Sequence, residues 1–458
     1  MEQSKKSLSA IRPPKLSGRR RAVELVKDLL IVLLACSAVY LAARSQLHTG
    51  LVPWFERILG TQDTQQSSPM ELSQMTDLVQ PARAAVCLGV GKNGEISRYG
   101  AQYNDALTQR LSSAMSGLVG EGLASAQTPA PISRTQWEEA LCAPGIYLDY
   151  QGAVPLSSLC QWLNEGADNT VLTASARHIV LADLGDDTAV LCYKDAVQGM
   201  YYACKTTVSC QGYFSSSLEP YTDNGARFAF ELDQEDYADV GGDMMILGTS
   251  TQPAVYQVST PLDLNEDRSR DDLQQALLFR TQDYQVPGMW VAREEDTLRM
   301  SADGRVTYEA GSGFRYSVER DGDGSMDVTD LLEVTHRLAT DALNVWCGGA
   351  STARLTLSSV TQLEDGSWQV RYHYSLNGIA LLFSDGGDAA VFEANDGRIT
   401  GFTLRLRCYE DTGEHTPILR EQQAAAALDA LSQGEELELM LSYEDTGGDK
   451  VQAAWIAR

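Results

Sequence analysis

The chain has 458 residues, with 36 Lys and Arg against 62 Asp and Glu, so it carries a formal charge of −26 and a pI near 4.5. Hydrophobic residues make up 43% of it, with 14 Pro and 38 Gly, which excludes a wholly disordered or collagen-like chain. The acidic balance argues against a nucleic-acid partner, the single apolar run excludes a polytopic transporter, and the length predicts two or three domains.

The charge is unevenly placed. Residues 1–28 hold eight Lys and Arg against three carboxylates, a net of +5, which leaves −31 on the remainder. Directly after this basic stretch comes Leu29 to Ala43, LLIVLLACSAVYLAA. A bilayer needs about 20 mainly apolar residues, and Ala22 to Ala43 supplies them if Lys27 and Asp28 lie near the headgroups. The spacing predicts a cytosolic basic tail over 1–28 and a transmembrane helix over 29–46. By the positive-inside rule, everything from residue 47 onward is extracytoplasmic. Two rivals fit less well. A cleaved signal peptide lacks a good A-x-A site, since Ala43-Arg44-Ser45 has Arg in the middle. A lipobox at Leu33-Leu34-Ala35-Cys36 is followed by further apolar residues. Within the helix, Ile31, Ala35, Ala38 and Ala42 form a narrow stripe of mostly small side chains, the kind of face that lets two helix backbones approach closely in lipid.

A juxtamembrane spacer is expected over 47–80, with an interfacial piece carrying Trp54 and Phe55 and then a Gln/Ser-rich stretch. An N-terminal α+β domain follows over 81–205. Ala84 to Val90 reads as a strand, Asn104 to Val119 as a helix burying Leu107, Leu111, Met115 and Leu118, and Thr135 to Leu141 as a second helix. Short apolar alternations, such as 227–232 and 244–247, suggest a middle domain over 206–300. The C-terminal α+β domain, 301–458, is the clearest. Met326 to Leu343 is a helix capped by Asp327 or Thr329, with Leu331, Val334, Leu338 and Leu343 inward. In Ser367 to Ser375, Val370, Tyr372 and Tyr374 alternate with polar residues, and Asn377-Gly378 turns the chain into Ile379 to Phe383. Asn395-Asp396-Gly397 leads to Phe402, Leu404, Leu406 and Cys408 on one face; a helix near Leu419 to Leu431 and a strand over Leu437 to Tyr443 complete the unit. The fold class is therefore α+β: one N-terminal membrane helix and a multidomain region of antiparallel sheets packed by helices.

The Asn-Gly hairpin before an aliphatic strand, DGRITGF, Pro417-Ile-Leu with the Gln423-Ala424 helix, LELMLSY and the final AAWIAR together resemble the YycH/YycI family. That resemblance implies a bitopic protein with a cytosolic tail, one membrane helix and an extracytoplasmic α+β region. It further implies association with the WalK sensor histidine kinase, tuning of WalK–WalR signalling in cell-wall homeostasis, contact largely through the membrane helix, and a second YycH/YycI-like protein as a further partner.

Chemistry is sparse in the sequence. Gly89-Val-Gly-Lys-Asn-Gly94 matches G-x-G-x-x-G, but Asn93-Gly94 is a ready hairpin turn and no apolar helix follows, so no dinucleotide is implied. Glu319, Asp321, Asp323, Gly324, Asp327 and Asp330 resemble a calcium loop, yet an acidic turn and helix cap explain them. There is no G-x-S-x-G or H-E-x-x-H, and no S-x-x-K outside the tail. His48, His178, His336, His373 and His415 read as solvated or incidental. Eight cysteines follow the membrane run; disulfides are open to them, Cys204 and Cys210 being the tightest spacing, while Cys408 reads as a small buried apolar group. No catalytic residue, cofactor or metal site is expected. The expected function is a non-enzymatic anchored regulator that uses Ile31, Ala35, Ala38 and Ala42 against a sensor kinase; the alternative is an anchored binder of wall fragments or cations.

Overall fold

The computed structural model describes residues 78–458 except 79, 92–93, 165, 233–236, 238–239, 249–250, 323, 430–436 and 458. The expected membrane helix, with Ile31, Ala35, Ala38 and Ala42, and His48 lie outside the described residues, as does the spacer up to residue 77. Among the described residues no helix is long and apolar enough to cross a membrane.

The first sheet has seven antiparallel strands in the order β2-β1-β4-β5-β6-β7-β3: β1 Arg83–Val90, β2 Ile96–Gln102, β3 Ala130–Ile132, β4 Gly145–Pro155, β5 Ser175–Ala182, β6 Thr188–Asp195 and β7 Tyr201–Ser209. β1 and β5 are buried along most of their length because both faces of the sheet are covered. Helices α1 (Asp105–Ser125) and α3 (Leu156–Leu163) pack on one side, while α2 (Arg134–Cys142) and the segment holding β8 (Arg227–Phe228) and β9 (Met245–Ile246) cover the other. Asn104 caps α1 by accepting a hydrogen bond from the Leu107 amide, and Ser133 and Gln136 form a reciprocal capping box on α2. Leu111, Met115 and Leu118 are inward as the spacing predicts. Leu107 is a correction: it lies in the first turn, is 44% exposed, and Thr108 takes the inward place. The glycine run closes a β1–β2 hairpin, with the Gly94 amide donating to the Gly91 carbonyl.

The second sheet runs β11-β12-β13-β14-β19-β18-β16-β17-β21-β23, with β15 added to β16. Its strands are β11 Asp283–Val286, β12 Met289–Arg293, β13 Thr297–Ser301, β14 Arg305–Glu309, β15 Ala353–Gln362, β16 Trp368–Leu376, β17 Ile379–Phe383, β18 Ala390–Asn395, β19 Arg398–Arg405, β21 Leu439–Asp445 and β23 Ala453–Ala457. Among the described strands of this sheet, β17 and β21 are the one parallel pair. Asn377 and Asp396 adopt left-handed φ of +52° and +55°, each followed by a left-handed glycine, as two-residue hairpin turns require. Across the sheet lies α5 (Val328–Cys347), capped by Asp327, which buries Leu331, Leu332, Leu338, Ala342 and Trp346 against Tyr372 and its neighbours. Beside it sits α4 (Asp267–Ala276). A third, small sheet joins β20 (Cys408–His415), β10 (Ala254–Ser259) and β22 (Lys450–Val451).

Cys408 does not remain a thiol. It forms a disulfide with Cys347, tying the end of α5 to the start of β20, because the chain leaves the large sheet at Leu406 and delivers Cys408 beneath the helix terminus. Cys204 and Cys210 are free.

One apolar core runs without a break from α1, α3 and β4 to α5, β16 and β21. The expected boundaries at 205/206 and 300/301 fall inside β7 and β13 respectively. Where the sheets cross, a Cβ at Gly152 would lie 1.9 Å from the Leu357 carbonyl oxygen, so only glycine permits this approach of β4 to β15.

Candidate functional site at the joint between the two sheets

The joint concentrates polar groups that neither sheet uses alone. Asp149 stands in an otherwise apolar strand, Ile-Tyr-Leu-Asp-Tyr, and is fully buried. It accepts from Arg83 Nη1 at 3.2 Å and from Arg177 Nε at 2.8 Å, and its backbone-facing oxygen accepts the Gln151 amide at 2.9 Å. Arg177 continues across the joint, its Nη1 donating to Glu438 Oε2 at 2.7 Å just before β21. His178, next along β5, lies with Nε2 3.6 Å from Asp149 Oδ2 and Nδ1 3.2 Å from Asp243 Oδ2, and Lys194 Nζ is 3.5 Å from the same Asp243 oxygen. The chain of charges thus links β1, β4, β5 and β6 to the 241–246 segment and to the strand entry at Glu438.

Burial alone would raise the carboxyl pKa of Asp149, Asp243 and Glu438, yet all three are lowered: Arg177 dominates at Asp149 and Glu438, and His178 at Asp243. Burial would lower His178, but Asp149 and then Asp243 reverse this and raise it. The network encloses a cleft of about 520 Å³, lined by Arg134, Arg177, His178 and Lys194 together with Asp195, Asp243 and Glu438. A larger cleft of about 700 Å³ lies beside α4, but its buried cation, Arg270, is consumed by Asp283, Asp267 and the Trp290 ring.

A second set of contacts docks the Asn377-Gly378 hairpin on the first sheet. Asn377 Oδ1 accepts the Asp105 amide at 2.9 Å, the Gly378 carbonyl accepts Gln151 Nε2 at 3.1 Å, and Arg354 Nη2 donates to Asp105 Oδ1 at 2.6 Å. A third involves Glu421, the first residue of α6 (Glu421–Asp429). Its carboxyl accepts Gln102 Nε2 at 2.8 Å from β2 and the Leu247 amide at 2.8 Å. Burial pushes this carboxyl up to about 7, only partly offset by the Leu247 amide, Arg83 and Gln102.

The four histidines among the described residues do not share one environment. His415 is exposed and His373 half-buried, whereas His178 and His336 are corrections to a solvated reading. The signal for His178 was present: Arg-His at the head of Ile-Val-Leu-Ala places two charged groups in a strand that must be buried. In the acidic turn before α5, Asp327 caps the helix and Asp330 Oδ2 accepts the Glu319 amide at 2.6 Å; Asp323 lies outside the described residues. Among the described residues no cluster of His, Cys, Asp and Glu has the arrangement of a metal site.

The crystal structure of YycH from Bacillus subtilis aligns with a TM-score of 0.48 and 10% identity, covering 86% of this chain and 95% of that chain. No protein-family model matches the chain, and no curated protein matches it. Of the motifs that resemble the YycH/YycI family, the β16–β17 turn, the start of α6, β21 and β23 fall at the joint or beside it, whereas the turn into β19 lies against Arg320 and the 311–317 stretch.

Proposed function

We propose that this protein is a non-enzymatic, membrane-anchored, extracytoplasmic regulator of a WalK-like sensor histidine kinase in cell-envelope signalling. The observation that carries the reading is the run from Asn377 to Ala457, whose motifs resemble the YycH/YycI family and of which the 377–378 turn, the start of α6 and the entry to β21 lie where the two sheets meet. Residues 29–46 hold the protein in the bilayer with the basic tail inside, and the stripe of Ile31, Ala35, Ala38 and Ala42 packs against the kinase's membrane helices. In lipid, exchanging lipid contacts for helix contacts changes the free energy little, so modest shifts in the ectodomain can move the kinase between states.

Replacing Ala35, Ala38 and Ala42 together by Leu is expected to abolish co-purification of the kinase from membranes while leaving the protein in the membrane fraction. Undiminished capture refutes the helix face. Protease added to intact cells should remove the acidic bulk, and protection of that bulk refutes the topology.

One observation favours the second reading, an anchored binder of wall fragments or cations: the 520 Å³ cleft with both signs of charge on its walls. Saturable binding of a muropeptide or of calcium by the full-length protein in detergent, lost on Lys194→Met, would favour it.

A further inference from the structure

The stretch between β20 and β21 is held to the first sheet near its two ends by carboxylates in opposite surroundings. Glu438, at the exit, meets the Arg177 guanidinium. Glu421, at the entry, is 8% exposed, meets only neutral donors at bonding distance among the described residues, Gln102 and the Leu247 amide, and has Arg83 and Tyr103 as the titratable groups facing it. Ala424, Ala425 and Leu428 of α6 pack on Val240, Met244 and Ile246, so the segment that Asp243 anchors to His178 moves with the helix.

We propose that the joint is a proton-operated contact: α6 and the 240–247 segment stay docked on the first sheet while Glu421 and His178 hold protons, and loosen when both give them up. Both groups act in the same direction. With Glu421 neutral, no unpaired charge is buried; once ionised, its charge sits against two amide donors with no cation in contact. His178 as a cation bridges the carboxylates of Asp149 and Asp243. As a neutral ring it leaves Asp149 to Arg83 and Arg177, and Asp243 to Lys194. The ring also faces Tyr147. The three carboxylates of the network stay ionised across the window because their pKa values are lowered, so they do not mask the effect.

The sign is fixed by the shifts. Glu421 is raised to about 7, so its native form holds an extra proton above the ordinary carboxyl range, and docking weakens as pH rises through that value. The raised His178 likewise favours docking only below its native pKa. From Glu421 alone the protection of α6 against local opening should fall roughly tenfold between pH 6 and pH 8.

The test is hydrogen–deuterium exchange on the full-length protein in detergent, expressed as protection relative to the intrinsic rate at each pH. The α6 amides should lose protection between pH 6 and 8 while those of α5 do not. Glu421→Gln, which is neutral and keeps the side-chain shape, should remove this tenfold part of the loss and leave only the contribution of His178. His178→Gln should lower it already at pH 6. Constant α6 protection in the unsubstituted protein, or an unchanged tenfold loss in Glu421→Gln, overturns the proposal. The inference concerns the joint itself, and kinase capture by the membrane helix can fail without affecting it.

Discussion

The seat of α5 on the large sheet and the joint around β5 are both buried, and a histidine lies in each, but the two regions are held by different forces. His336 is 1% exposed among Leu, Tyr and backbone groups, with one ring nitrogen 3.3 Å from the Leu355 carbonyl, and burial pushes its pKa down to about 4. His178 is nearly as buried, but carboxylates on either side raise it. Burial by itself therefore does not decide a titration; the sign follows from whether a compensating charge shares the burial. The seat resists protons and is pinned by apolar contact and a disulfide. The joint depends on charges that protons can add or remove.

The sharpest way to break the contrast is Asp149→Asn. It strips the common partner from Arg83, Arg177 and His178, and leaving such cations buried costs about 3–5 kcal/mol, read as a lowered midpoint in urea. Next comes the pin on the seat: Cys347→Ser with Cys408→Ser should lower stability by about 2–4 kcal/mol, and reductant should have the same effect on the parent protein but none on the double variant. The histidine of the seat gives a smaller, pH-dependent effect. Its native form is neutral, whereas the unfolded chain takes up a proton below about 6.5, so stability is full above that pH and falls toward pH 4 by up to about 3 kcal/mol. His336→Gln should flatten this acid limb in a pH series of thermal melts and leave the limb above pH 6 untouched. The smallest effect belongs to an ion pair in neither region. Arg371 and Asp388 meet at 2.8 Å on the surface, and Arg371→Ala should change stability by less than about 1 kcal/mol. A larger loss would mean that exposure does not separate the two kinds of charge pair.

Elements whose partners are close in sequence were legible. Asp327 marks a helix start because its side-chain oxygen satisfies amides within the same turn, and Asn377-Gly378 and Asp396-Gly397 mark hairpins because their left-handed φ suits few other residues. The Val370, Tyr372, Tyr374 alternation read correctly for the same local reason: period two places all three inward, and each is at most 1% exposed. Leu107 misled because helical spacing describes a face without saying where along the helix the sheet begins.

What the amino-acid sequence determined by itself, then, is every feature set within a few residues: the charge asymmetry around the apolar run, the caps, the turns, the strand faces, and through them the α+β class. Tertiary structure alone decided that Cys347 finds Cys408 across 61 positions, that Gly152 lets two sheets touch, and that Arg177 meets Glu438 across 261 positions. Such pairings depend on how distant strands register, and a carboxylate in a buried strand announces only that it needs a partner, not which one.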